Sequence, residues 1–423
     1  MNGLKLRAWV LVALIGVAGC EGSGGVPSGP SAAVIRDNPG VTLVESHPGE
    51  APPRYIARLD SSYLRLGVLE RGPAYRFLAV TGLRGLDGGG MLVAAAAARE
   101  LRVYDASGSH VRTFGSEGDQ LGEFVDLSGL VGVAGDTVWA WDARSQRLTS
   151  YLTSGELVGT VQGVRDPGGR GSAGRITELH RLDDGTYVAR SLWSTDNRGS
   201  PESDEVSLVR DSIVLRHLDT TLRELDTIAV LPWAETLRRM SVVTSGSQIV
   251  SLRMGTMPRP FGRTSYFYPR LSGVVTGTND SYEWMLRAPD GAVQLISWVP
   301  DFHRPISPGQ VTELRDWFLS TARTEQRTLE IEAFFDDFPL PERAPAFGTI
   351  HVDASGRVWL AEYEAVRYTE SVWMVFSPDG QLLGRVEVPT GLEIHEIGSD
   401  YLLGVLWEGN VPYVLRFPLV EID

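Results

Sequence analysis

The sequence predicts an all-β protein whose strands form six four-stranded antiparallel sheets packed radially. Three observations carry this. From about residue 41 to the end, short apolar alternations are separated by Gly, Asp and Ser turns, as in chains of closely spaced strands. One hairpin plan recurs in "RVYDASGSHVRTF" (102–114), "TSYLTSGELVGTV" (149–161), "RHLDTTLRELDTI" (216–228), "LRAPDGAVQLISW" (286–298) and "MVFSPDGQLLGRV" (374–386). A second hairpin precedes most of these, in "LRGLDGGGMLV" (83–93), "LVGVAGDTVWA" (130–140), "LHRLDDGTYVA" (179–189), "IHVDASGRVWL" (350–360) and "IHEIGSDYLLG" (394–404), and less closely in "SVVTSGSQIVS" (241–251). Two hairpins make one sheet with two apolar faces, which it cannot bury alone. Six sheets set around an axis bury one another's faces, which is the β-propeller solution.

Before the repeats comes a leader. Met1–Arg7 carries Lys5 and Arg7, Ala8–Val17 is almost wholly apolar, and Ala18, Gly19 and Cys20 follow. A basic start, a short apolar core and a small-residue exit describe a secretory signal peptide over 1–19. The apolar run is too short to span a bilayer, which takes roughly 20 residues. Cys20 is the only cysteine, so no disulfide framework exists and stability rests on the core. Residues 20–40 are rich in Gly, Ser and Pro and read as a flexible tether.

Blades are placed near 78–115, 126–162, 175–230, 241–300, 346–388 and 392–419. The last lacks a fourth strand of its own. The free strand "VTLVES" (41–46) is expected to supply it and close the ring, removing the exposed edges. Two insertions interrupt the repeats. "STDNRGSPESDE" (194–205) reads as a solvated loop. Residues 302–345 read as a strap holding one short helix between blades four and five. Its signal is Ser307 as N-cap, Pro308 at the first helical position and Gln310 completing a capping box, with Val311, Leu314, Phe318 and Ala322 on one face. The aromatics that follow, in "EAFFDDFPLPERAPAF" (332–347), either fill a groove or form a lid or partner-docking loop.

Two resemblances follow from these residues. Val17-Ala18-Gly19-Cys20 is similar to the lipobox of bacterial lipoproteins. That likeness implies a diacylglyceryl group on the Cys20 thiol, cleavage before it and acylation of the new amino terminus. Several acyl chains anchor far more firmly than one. In that family Asp after the cysteine favours retention in the inner membrane, so Glu21 implies the outer membrane, with the domain in the periplasm or at the surface. The alternative is a buried free cysteine after an ordinary signal. Second, "LRVYDASGSHVRTFGSEGDQLGEF" (101–124) and "DASGRVWLAEY" (353–363) resemble the NHL repeat of six-bladed β-propellers. The match is sharp in blades one, two and five, and 41–423 is the span it implies. That family holds both binding modules and enzymes, so the resemblance implies a fold and leaves the function open.

The formal charge is −14, and arginine almost replaces lysine, Lys5 being the sole example. An acidic chain without a basic stripe is a poor nucleic-acid binder. A phosphate loop of the Walker type is excluded for want of its lysine.

The aligned inner hairpins place Arg84, Val131, His180, Val242, His351 and His395 in one slot of the innermost strands. Imidazoles there are either structural, a polar ligand site in the central channel, or ligands for a divalent metal. Strand side chains alternate between faces, and blade three lies across the ring from blade six, so three-way convergence of the histidines is not expected. Some six-bladed propeller enzymes hold calcium through acids at inner-strand ends. Asp142 and Glu362 occupy equivalent places and are weak candidates for that role. "GRGSAG" (169–174) fits G-x-G-x-x-G but precedes a strand, so it offers no helix N-terminus to a pyrophosphate. His395-Glu396 lacks the second histidine of the zinc-protease motif, since Ser399 stands there. The reading is a lipid-anchored binding or scaffold module of the cell envelope for a protein, peptide or glycan. The alternative is a propeller hydrolase or lyase with a channel metal.

Overall fold

The structure is a computed structural model that describes residues 33–38, 41–47, 53–67, 71–163, 175–193, 206–245, 248–270, 273–288, 291–298, 305–337, 340–364, 371–389 and 391–422. The leader, Cys20 and the loops 169–174 and 194–205 lie outside the described residues. Among the described residues no helix is long and apolar enough to cross a membrane.

The described strands form six sheets. Sheet 1 runs Val80–Gly85, Met91–Ala95, Glu100–Tyr104, His110–Phe114. Sheet 2 runs Leu127–Ala134, Thr137–Asp142, Arg147–Leu152, Leu157–Gln162. Sheet 3 has five strands, Ile176–Arg181, Tyr187–Trp193, Val206–Leu218, Glu224–Ser245 and Gln248–Pro258. Sheet 4 runs Ser265–Arg270, Gly273–Thr278, Glu283–Arg287, Val293–Trp298, and adds Val41–Ser46 and Ala33–Asn38 at its outer edge. Sheet 5 runs Phe347–Val352, Val358–Glu362, Ser371–Phe376, Leu382–Val388. Sheet 6 runs Leu392–Ile397, Tyr401–Glu408, Val411–Glu421, with Ala57–Leu59 and Leu64–Leu66 along its last strand.

The turns follow from the sequence. In the turns at Asp105, Asp219 and Asp353 the carboxylate accepts backbone N–H groups two and four residues on, at 2.8–3.0 Å. An Asx turn of this kind pins the reversal whatever the strands bury.

Six apolar clusters lie between consecutive sheets. Leu92, Phe114, Leu130 and Val138 join sheets 1 and 2. Trp141, Leu148, Leu179 and Tyr187 join sheets 2 and 3. Val188, Ile213, Leu215 and Val274 join sheets 3 and 4. Trp284, Trp298, Ile350 and Phe376 join sheets 4 and 5, and Trp359, Trp373, Ile394 and Leu415 join sheets 5 and 6. The sixth, with Leu403, Val414, Leu66, Leu83 and Met91, joins sheet 6 back to sheet 1. Each sheet therefore buries both faces against its neighbours, and the protein is a β-propeller.

Three expectations are corrected. "VTLVES" pairs in parallel with Val293–Trp298 on sheet 4, not on the last sheet. Its alternation sets which side chains turn inward, and Val44 is buried there, but alternation does not choose between two open outer edges. The last sheet is completed by 57–59 and 64–66 instead. "SVVTSGSQIVS" is no inner hairpin, because Glu224–Ser245 pairs with Gln248–Pro258 as a long extension of sheet 3. The first strand of sheet 4 is Ser265–Arg270. The strap holds two helices, α1 (Pro308–Ser320) and α2 (Glu325–Asp337). The capping box of α1 forms as read: Gln310 N–H donates to Ser307 Oγ, and Ser307 N–H to Gln310 Oε1. Ile331 and Phe334 of α2 pack on Leu237 and Met257 of the long hairpin, so the strap and that hairpin build one cap.

Candidate functional site

The first strand of every sheet except sheet 4 carries a residue of the predicted slot, and strand alternation sends every second side chain to the opposite face. In sheet 3, Ile176 and Leu179 are buried in the core, and Glu178 and His180 share the other face. In sheet 6, Leu392 and Ile394 are buried, and Glu393 and His395 are not. A register shift between Ile394 and Glu396 marks a bulge at His395 that re-aims its ring.

The slot divides into two groups. His180 is committed: its Nε2 lies 2.7 Å from Glu178 Oε1, and its ring meets Phe267 edge-on at 5.9 Å. Arg190 adds a second contact to Glu178 at 3.1 Å. Burial opposes charge on Glu178, but the His180 hydrogen bond and the charges of His180 and Arg190 together hold its carboxyl down at about 2. This is a structural ion cluster within sheet 3, with the Phe267 ring of sheet 4 against it.

Arg84, His395 and His351 form the second group, on the first strands of sheets 1, 6 and 5. Arg84 Nη1 donates to Leu83 O at 2.8 Å and reaches His395 O at 3.5 Å. His351 packs between Tyr268 (5.0 Å) and Trp373 (5.5 Å), ring centre to ring centre. Burial, then the His395 ring and Arg84, depress its pKa to about 3. Burial and Arg84 depress that of His395 to about 4. Both rings are neutral at pH 7. His351 Nδ1 and His395 Nε2 are buried without a hydrogen-bond partner.

The remaining candidates take structural places. Val131 belongs to the core between sheets 2 and 3, and Val242 lies in the long hairpin, away from the inner strands. Asp142 is fully buried and accepts four backbone N–H groups, from Val125, Asp126, Arg144 and Ser145, at 2.7–3.2 Å. Glu362 ends the second strand of sheet 5, opposite Phe347. The two acids share no ligand set. Among the described residues no group of three or more His, Cys, Asp or Glu could hold a metal ion. Glu396 accepts from Gly85 N–H (2.8 Å) and Tyr401 O–H (2.9 Å), tying sheet 6 to sheet 1.

Sequence reasoning missed Glu178, whose signal was its place two residues before His180. It also missed Tyr268, because the fourth inner strand had been read at 241–251.

Two recesses lie elsewhere. One, of about 410 Å³, opens between sheets 2 and 3, lined by Trp139, Ser150, Arg181, Asp184, Tyr187 and Thr220 among others. Arg181 stacks on Trp139 at 4.5 Å there. The other, about 560 Å³, is a groove in the cap between the start of α1 and 340–342. Ile306, Pro308, Val311, Leu340 and Pro341 form its walls, with Thr312 and Glu342 beside them.

No family model matches the chain, and no curated protein matches it. Among solved structures it is similar to a Bacteroides fragilis protein inferred to be exported, at 14% identity and TM-score 0.47, over 90% of this chain and 100% of that one. It is similar to a member of the DUF4221 family from Bacteroides vulgatus, at 9% identity and TM-score 0.49, over 87% and 99%. It is also similar to virginiamycin B lyase from Staphylococcus aureus, at 9% identity and TM-score 0.40, over 85% and 99%.

Proposed function

We propose that the chain is an exported, Cys20-lipidated six-bladed propeller of the NHL type, held at the outer membrane, that acts as a binding module. Its ligand is a peptide or protein segment with apolar side chains, seated in the groove of the cap. The groove is the observation that carries this reading. Its walls are aliphatic and proline side chains at a capped helix start. A few apolar anchors in such a recess, framed by polar groups, are how peptide segments gain both affinity and orientation. A metal-dependent hydrolase or lyase in the channel is disfavoured: Arg84 places a fixed positive charge beside His351 and His395, His180 is taken by Glu178, and Asp142 by backbone donors. The test is a peptide-display selection against the full chain. Enriched peptides should carry apolar anchors and lose at least tenfold in affinity on Val311→Glu. No enrichment, or binding indifferent to Val311→Glu, overturns the reading.

A further inference from the structure

We propose that Arg84, His395 and His351 form a binding site for one small oxyanion group, a carboxylate or phosphate, at the inner wall of the ring. It is independent of the cap groove and lies on different sheets.

Arg84 leaves most of its donors unused. A guanidinium carries five N–H donors. Among the described residues Arg84 uses one nitrogen, on the Leu83 and His395 carbonyls, and has no carboxylate in ion-pair reach. The nearby acids are accounted for. Both oxygens of Glu396 hold other donors, the Gly85 N–H and the Tyr401 hydroxyl. Glu393 is largely exposed, with Oε1 3.9 Å from His395 Nε2, beyond hydrogen-bond length.

Beside this cation lie two buried imidazole nitrogens with no hydrogen-bond partner, His395 Nε2 and His351 Nδ1. An unmade hydrogen bond in a buried place costs about 1–3 kcal/mol, so such atoms favour a polar group within reach. Two of them beside a guanidinium that is not ion-paired offer donors to one shared acceptor group.

The chemistry of a fitting group follows from charge. A metal cation would meet the field of Arg84, which adds to burial in keeping both imidazoles from protonating. A neutral imidazole still offers one N–H, whose position is free to follow the ligand. One fixed positive charge plus two adjustable N–H donors complement a group with one net negative charge and several acceptor oxygens. Carboxylates and phosphates are the groups that a guanidinium engages through two oxygens at once.

The test titrates the full chain with sodium phosphate and, separately, sodium acetate, at ionic strength held constant with chloride. Calorimetry reads binding, and nitrogen-15 NMR reads the imidazole resonances of His351 and His395. We expect saturable binding of at least one of the two ions, with shifts confined to those two rings. Arg84→Gln should weaken it at least tenfold, and Arg84→Lys less. Binding of phosphate alone assigns a phosphate group, and of acetate alone a carboxylate. Lack of saturable binding by either ion overturns the proposal. So does binding that is unchanged in Arg84→Gln, or that leaves both imidazoles unshifted in the wild-type protein. The last readout stands even where the variant fails to fold.

Discussion

His351 and His395 are weak bases because charging either would put a cation into a desolvated place beside Arg84. This has a direct consequence for stability. Unfolded, each ring takes a proton near its ordinary value of 6.5; folded, it waits until about 3 or 4. Between those values the unfolded chain holds more protons, so stability rises with pH there. The contribution is complete above 6.5 and is lost as pH falls through the window. Glu178, held at about 2 by His180 and Arg190 against the cost of its burial, adds a further loss below about 4.5. One pKa unit corresponds to about 1.4 kcal/mol per group, so the two rings together should remove roughly 2 kcal/mol between pH 6 and 5. Urea unfolding at pH 7, 6 and 5 measures this. His395→Gln should show about half the slope of the wild type. A stability that does not change from pH 7 to 5 would mean that the rings are not desolvated as described.

Among the elements, the long hairpin of sheet 3 extends its sheet outward, and its base is held by charge. Glu235 Oε2 accepts from Arg259 Nη1 at 2.9 Å and from the Arg263 backbone N–H at 3.0 Å. Arg263 in turn reaches Asp280 at 3.3 Å and the Arg343 carbonyl at 2.9 Å. The side chains of Glu235 and Arg259 are only 10% and 16% exposed, so removing the carboxylate charge breaks a largely buried ion pair. Glu235→Gln should cost about 2 kcal/mol, spent locally. Amide exchange should speed up across 236–258 and leave the first sheet unchanged; equal acceleration in both would show that the hairpin is no separate unit. The elements also show what a sequence discloses. The hairpin turns were legible because their Asp, Ser and Gly residues act within five positions, and α1 was legible because Ser307 and Gln310 complete each other across one turn. The long hairpin was not, because "SVVTSGSQIVS" has the same strand, small-residue turn and strand as a true inner hairpin. Only its pairing with Gln248–Pro258 as an outer pair distinguishes it. Pairing is a property of distant chain, as is the meeting of Arg84 with His395, 311 positions on.

Ring closure is where the whole molecule depends on pairing that local pattern cannot announce. Ala57–Leu59 and Leu64–Leu66 are three residues each, too short to read as strands, yet they complete sheet 6 against Val411–Glu421. They also tie the chain's end to its beginning. Leu66 is fully buried in the cluster between sheets 6 and 1, Arg65 pairs with Glu408 at 2.7 Å and lies over the Tyr413 ring at 3.7 Å, and Leu64 crowds the turn of sheet 1 at Gly108. That glycine has φ +76°, and a methyl group there would come within 2.7 Å of Leu64 Cδ1. The Val41–Ser46 strand, by contrast, extends the outer edge of sheet 4, where Val44 and the Ser46 hydroxyl meet the sheet 5 turn at Gly380. Two truncations separate these roles. Starting the folded domain at Pro53 removes the outer strands but keeps the closure, and should melt in one transition with a modest loss, mainly the burial of Val44, at about 1.5–3 kcal/mol per large apolar side chain. Starting it at Arg71 also removes Leu64–Leu66, exposes the last strand of sheet 6 and opens the core shared with sheet 1. An unpaired edge beside an opened core invites pairing between chains, so this form should lose its cooperative melt and aggregate. If both truncations melt alike, residues 57–66 do not close the ring, and the contact of sheet 6 with sheet 1 through Glu396 and Tyr401 suffices by itself.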